Sequence, residues 1–265
     1  MTSADKRTYW DAATYDRIAK PMRMWAQEVI DDLALKGDET VLDAGCGSGS
    51  VTFDLWERLP RGKIIALDSS PQMIEQLSKS IAERGITNIV ARQADLADFE
   101  IAEPVDVVFS NAVFHWISND DGLFGSLARA TKPGGRLRAQ CGGQGNIVRL
   151  ITVATEFEAR EPYSQWLTPG KANRKWRSPE DVRVAMERNG WKNVRADTFE
   201  SPQRFEDRDE AALYLRTIIL QMQVAGLPEE LGEPFLQDVI AEVIARHGEP
   251  FTVDYVRLNI WAERA

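Results

Sequence analysis

The apolar run Val41-Leu42-Asp43-Ala44 enters a glycine turn, Gly45-Cys46-Gly47-Ser48-Gly49, and an amphipathic helical pattern leaves it from Ser50. That order is strand, tight turn, helix. A helix start presents unpaired N–H groups and the positive end of the helix dipole, so such a turn suits an anionic or carboxylate-bearing ligand. The glycines let the backbone turn sharply and approach that ligand with no Cβ in the way. A plain βα turn with no ligand is the alternative, and glycine spacing alone does not decide between them.

Three acids near the turn favour a cofactor site. Asp43 ends the first strand, where a carboxylate can receive an ammonium group. Asp68 ends the next apolar strand, Lys63-Ile64-Ile65-Ala66-Leu67, and can accept from both hydroxyls of a ribose. Asp95 comes after a third strand and is placed to hold an adenine amino group. The dinucleotide fingerprint asks for glycine at the sixth position of the turn, and Ser50 stands there.

These stretches, with Asp68-Ser69-Ser70-Pro71-Gln72-Met73-Ile74, Ala94-Asp95-Leu96 and Ser110-Asn111-Ala112-Val113-Phe114-His115-Trp116, resemble the ordered motifs of class I S-adenosylmethionine-dependent methyltransferases. The resemblance covers roughly residues 9 to 145. It implies a cofactor site from Asp43, Gly45, Cys46, Gly47, Gly49, Asp68, Ser69, Met73, Asp95, Leu96, Asn111 and Ala112. Within that class, the fourth-strand motif and the late Tyr255-Val256-Arg257-Leu258-Asn259-Ile260-Trp261 are similar to the trans-aconitate methyltransferase group. Juvenile hormone acid methyltransferases resemble the chain at the fourth-strand motif. Both groups esterify carboxylates on small molecules.

Strands alternating with helices imply parallel crossovers and a doubly wound, Rossmann-like α/β sheet. The resemblance extends this to seven strands with an antiparallel last strand, plus a mostly helical cap. Residues 1–36 read as an N-terminal helical lid and 37–141 as the cofactor-binding core. Residues 142–192 read as a cap segment and helix, and 193–265 as the last two strands with an inserted helical pair, all within one structural domain. The final strand is expected from Phe251 to Ala262, and Ser69 or Ser70 caps the helix that begins at Pro71.

The formal net charge of −9 argues against a nucleic-acid substrate. Two cysteines are too few for a disulfide scaffold or a zinc cluster, and no metal site is expected. No apolar run reaches about 18 residues, so a cytoplasmic protein without a membrane span is expected.

His115 faces the expected methyl group and reads either as a general base or as a residue that shapes the pocket. Trp116 is a substrate wall or a core residue. Tyr15 and Trp10 resemble aromatics that cover the methyl-donor pocket in related enzymes. Arg257 matches an arginine in the final strand of the trans-aconitate group. Its planar fork suits a carboxylate, and an ion pair at the sheet edge is the alternative. The leading reading is carboxyl O-methylation of a small molecule. Hydroxyl or carbon methylation with His115 as base, and a non-catalytic S-adenosylmethionine-binding protein, are the rivals.

Overall fold

The computed structural model describes residues 20–171 and 174–265. Trp10 and Tyr15 lie outside the described residues. These divide into two compact units. One comprises Met22–Gln144, Arg174–Phe199 and Val256–Ala265. The other comprises residues 145–171 and Glu200–Tyr255.

The first unit is built on a seven-stranded sheet. Its strands are β1 (Thr40–Ala44), β2 (Lys63–Asp68), β3 (Ile89–Gln93), β4 (Val105–Asn111), β5 (Thr131–Gly142), β6 (Trp191–Glu200) and β9 (Val256–Arg264), in the order β3-β2-β1-β4-β5-β9-β6. β1 to β5 pair in parallel, and β9 runs antiparallel to β5, as expected. The strand order reverses between β1 and β4. Ligands of open parallel sheets bind beyond the carboxyl ends of strands at such a point.

Alternation along each strand sends side chains to opposite faces. On one face Val41, Ile64, Ala66, Val107 and Phe109 pack with helix α1 (Lys20–Asp32) through Val29 and Ile30. Helices α2 (Ser50–Glu57) and α3 (Pro71–Glu83) complete that layer with Phe53, Leu55 and Leu77. On the other face Leu42, Val108, Leu137 and Ala139 pack with α4 (Asp120–Arg129) through Leu123 and Leu127. Ser70 is the cap of α3, its hydroxyl accepting from the Met73 N–H at 3.3 Å, with Pro71 at the first helical position.

The second unit holds α5 (Val148–Glu158), α7 (Arg208–Tyr214), α8 (Gln221–Gly226) and α9 (Glu229–His247). A two-stranded sheet pairs β7 (Gln203–Phe205) with β8 (Phe251–Val253). Phe251 to Ala262 is therefore not one strand, a correction to the sequence reading. The backbone breaks at Asp254, whose carboxylate accepts the Arg149 N–H at 2.9 Å and whose carbonyl accepts that of Ile147 at 2.9 Å. These bonds to the start of α5 replace ladder bonds, so an unbroken apolar pattern serves two different sheets. Helix α6 (Pro179–Arg188) belongs with the seven-stranded unit. It is closed at its start by a reciprocal cap between Ser178 and Asp181. Among the described residues no helix is long and apolar enough to cross a membrane.

Candidate functional site

The turn after β1 is built by three glycines with separate tasks. All have positive φ: +92° at Gly45, +54° at Gly47 and +96° at Gly49. A Cβ at Gly45 would overlap the side chain of Val113, and one at Gly49 that of Leu77. These two are required by packing. A Cβ at Gly47 would meet no atom of the described residues within 4 Å, so the backbone there faces open space among them. Gly47 is the glycine suited to a ligand lying on the turn.

Asp68 shapes this turn from β2. One carboxylate oxygen accepts the Gly47 N–H at 2.9 Å and the other the Ser70 N–H at 2.9 Å. Asp43 is 2% exposed and accepts the Thr52 hydroxyl at 2.7 Å. Burial pushes its carboxyl up to about 7; the Thr52 hydrogen bond opposes this, and the charge of Asp68 adds to it. The Ser69 side is exposed, its carbonyl accepting from Gln93 at 3.1 Å. Met73 is half-buried. Asp95 is exposed and accepts the Ala97 N–H at 2.9 Å. Leu96 is buried in the core, and Cys46 is buried with its N–H on the Leu67 carbonyl, so backbone atoms are what these two offer a ligand.

Beyond β4 the chain makes a strained step. Ala112 has φ +61°, a region non-glycine residues rarely occupy, and its N–H donates to the Gln140 carbonyl at 2.7 Å. The side-chain oxygen of Asn111 is buried and has no hydrogen-bond partner among the described residues. A buried acceptor left unpaired is costly, and it marks a place where a ligand donor fits.

His115 sits next along the chain in a single 3₁₀ turn, Phe114–Trp116. Its ring is 7% exposed. Trp116 and Trp176 pack against it with ring centroids at 5.3 and 5.1 Å. The Gly142 N–H donates to its Nδ1 at 3.3 Å. Burial first, then the charges of Arg174, Arg257 and Arg177, hold its pKa well below the ordinary imidazole value. Trp116 is 47% exposed and lies under the Arg174 guanidinium, 4.2 Å from its ring centroid, so it is not a core residue.

Arg257 is 3% exposed. Its Nε donates to Gln140 at 3.2 Å and its guanidinium stacks on Trp25 at 4.3 Å. Gln140 in turn donates to Asn259 at 3.1 Å. Arg177 has another role. It donates to the Phe114 and Ile117 carbonyls at 2.6 Å each and pairs with Asp120, clamping the turn that carries His115. The sequence reading assigned no role to Arg174, Trp176, Arg177, Gln140 or Thr52. The one signal for the first three was a basic, tryptophan-containing stretch before Ser178. Among the described residues no group of three His, Cys, Asp or Glu is placed to hold a metal.

A family model described as a methyltransferase domain matches residues 35–175. Trans-aconitate 2-methyltransferase of Methylobacterium nodulans is 35% identical over 131 residues, covering 49% of each chain. Malonyl-[acyl-carrier protein] O-methyltransferase of Acetivibrio thermocellus is 33% identical over 129 residues, covering 48% of this chain and 44% of that one. The chain thus spans about half the length of the curated relatives it matches. Among solved structures, the YcgJ protein of Bacillus subtilis superposes with a TM-score of 0.64 at 14% identity, covering 91% of this chain and 98% of that one. The chain belongs to this methyltransferase-domain family, and its class is that of the class I S-adenosylmethionine-dependent methyltransferases.

Proposed function

We propose that the protein methylates a carboxylate oxygen of a small molecule. The observation that carries this reading is Arg257: a buried cation, oriented by Gln140, beside a histidine further surrounded by Arg174 and Arg177. Such a cluster attracts an anion and disfavours a cationic amine. The names of the two curated relatives, one an O-methyltransferase and one acting on trans-aconitate, support the same direction.

Bound S-adenosylmethionine supplies a methyl group on a sulfonium leaving group. The residues suited to hold it are Asp43 and Asp68 by charge, Gly47 by its open backbone, and Asn111 by its unpaired carbonyl oxygen. Asp95, Ser69, Met73 and the backbone at Cys46, Leu96 and Ala112 complete the proposed contacts. That methyl would pass to a carboxylate oxygen, with the electron pair of the broken carbon–sulfur bond left on sulfur. An ester and a neutral thioether result, and no proton is released. The chain therefore has to align and desolvate the carboxylate, which Arg257 and the Trp116 wall are suited to do.

The test uses methyl-labelled S-adenosylmethionine with trans-aconitate, benzoate and octanoate. The expected product is labelled and releases labelled methanol in alkali, as methyl esters do. An alkali-stable product overturns carboxyl methylation. Binding of S-adenosylhomocysteine with no transfer to any acid overturns carboxyl methylation and leaves the two rival readings.

A further inference from the structure

Within the carboxylate-methylation reading, we infer that His115 is a fixed hydrogen-bond donor to the acceptor carboxyl group and not a general base. The warrant is the hydrogen-bond geometry of its ring. A neutral imidazole carries one proton, on the nitrogen that is not accepting. The Gly142 backbone N–H points at Nδ1, so Nδ1 accepts and Nε2 holds the proton. Two tryptophan rings packed against it restrict the ring from turning. Arg177 holds the carbonyls on either side of the His115–Trp116 pair, and the Lys175 N–H donates to the His115 carbonyl at 2.9 Å. Among the described residues none accepts a hydrogen bond from Nε2. That N–H is left for a ligand.

A base needs a free lone pair facing the acceptor. Here the lone pair faces Gly142. Taking a second proton would create an imidazolium among Arg174, Arg177 and Arg257, the charged groups that face the ring, with Trp116, Trp176 and the Cys141–Gly142 strand end around it. A carboxylate nucleophile asks for no base, because it arrives ionised. It gains from a donor: one oxygen held by Nε2–H and by Arg257 leaves the other free to face the methyl. The donor also selects among substrates, since an alcohol or amine acceptor must lose a proton and finds no base here.

Two measurements test this. The first is a long-range ¹H–¹⁵N spectrum of the full chain with S-adenosylhomocysteine, near neutral pH. His247→Gln removes the only other histidine signal. The expected pattern is a neutral ring protonated at Nε2 and unchanged down to about pH 6. A ring protonated at Nδ1, or at both nitrogens, overturns the inference. The second compares His115→Gln with His115→Phe on whichever acid the wild type esterifies. Glutamine keeps a donor at similar reach and loses at most about 10-fold in kcat/KM, with a flat pH profile from about 6.5 to 9. Phenylalanine loses about 10- to 100-fold. Equal loss in both variants, with a wild-type rise near an imidazole pKa, overturns the donor role. If no acid is esterified, the proposed function fails, and the spectrum still decides the tautomer.

Discussion

The turn after β1 and the cluster around His115 belong to the same sheet unit and have opposite chemistry. The first is acidic. Asp43 and Asp68 surround a backbone that faces open space at Gly47, and Asp68 spends both its oxygens on backbone N–H groups. The second is basic and aromatic: Arg174, Arg257, Trp116 and Trp176 around a neutral imidazole. The net charge of −9 describes neither. A cofactor bearing an ammonium group and ribose hydroxyls fits the acidic region, and an anionic acceptor fits the basic one. The difference sorts the two ligands by charge, so each region should be open to separate damage.

The largest effect is expected from Asp68→Ala. It strips partners from the Gly47 and Ser70 N–H groups, each worth about 1–3 kcal/mol when left unmade, and removes the proposed ribose contact. Titration calorimetry should show S-adenosylhomocysteine binding weakened by about 100-fold or more. Wild-type affinity in the variant, shown to be folded, would remove Asp68 from the cofactor site. Next comes Arg257→Met. It should lower kcat/KM for the acid by about 10- to 100-fold, the value of one or two charge-assisted hydrogen bonds, while S-adenosylhomocysteine affinity holds. If both fall together, the two regions are not separable.

The smallest effect is a matter of pH. Asp43 has an ordinary carboxyl value of 3.8 and a folded value of about 7. Between these, the unfolded chain loses its proton while the native protein keeps it. The unfolded state thus binds fewer protons, and the Asp43 contribution lowers stability as pH rises through this window, levelling above about pH 7. Asp43→Asn removes this slope. Urea midpoints measured from about pH 4 to 8 should diverge from wild type, the variant gaining relative stability toward neutral pH. Parallel curves would mean that Asp43 is ionised in the native fold.

The acidic region was legible in the sequence because its signals are local. Asp43 and the three glycines lie between positions 43 and 49, and Asp68 closes the next strand. Capping chemistry likewise narrowed the start of α3 to two serines. The basic region was only half legible. Arg177 reaches Phe114 across 63 positions and Gln140 reaches Arg257 across 117, so no window of sequence contains both partners. The charge on His115 is set by burial and three arginines, neither of which spacing reveals. The break at Asp254 was hidden because an apolar alternation reads the same whether a strand continues in one sheet or passes to another.

Gln140 ties the loop after β4 to the basic region. Its carbonyl holds the strained Ala112 N–H and its side chain holds Arg257. One residue in the middle of a β-sheet therefore works as a spacer bar, fixing how far the arginine stands from the loop after β4. The tryptophans of the basic region can be recut for differently shaped acids without altering that distance. Reach and shape are thus carried by different residues.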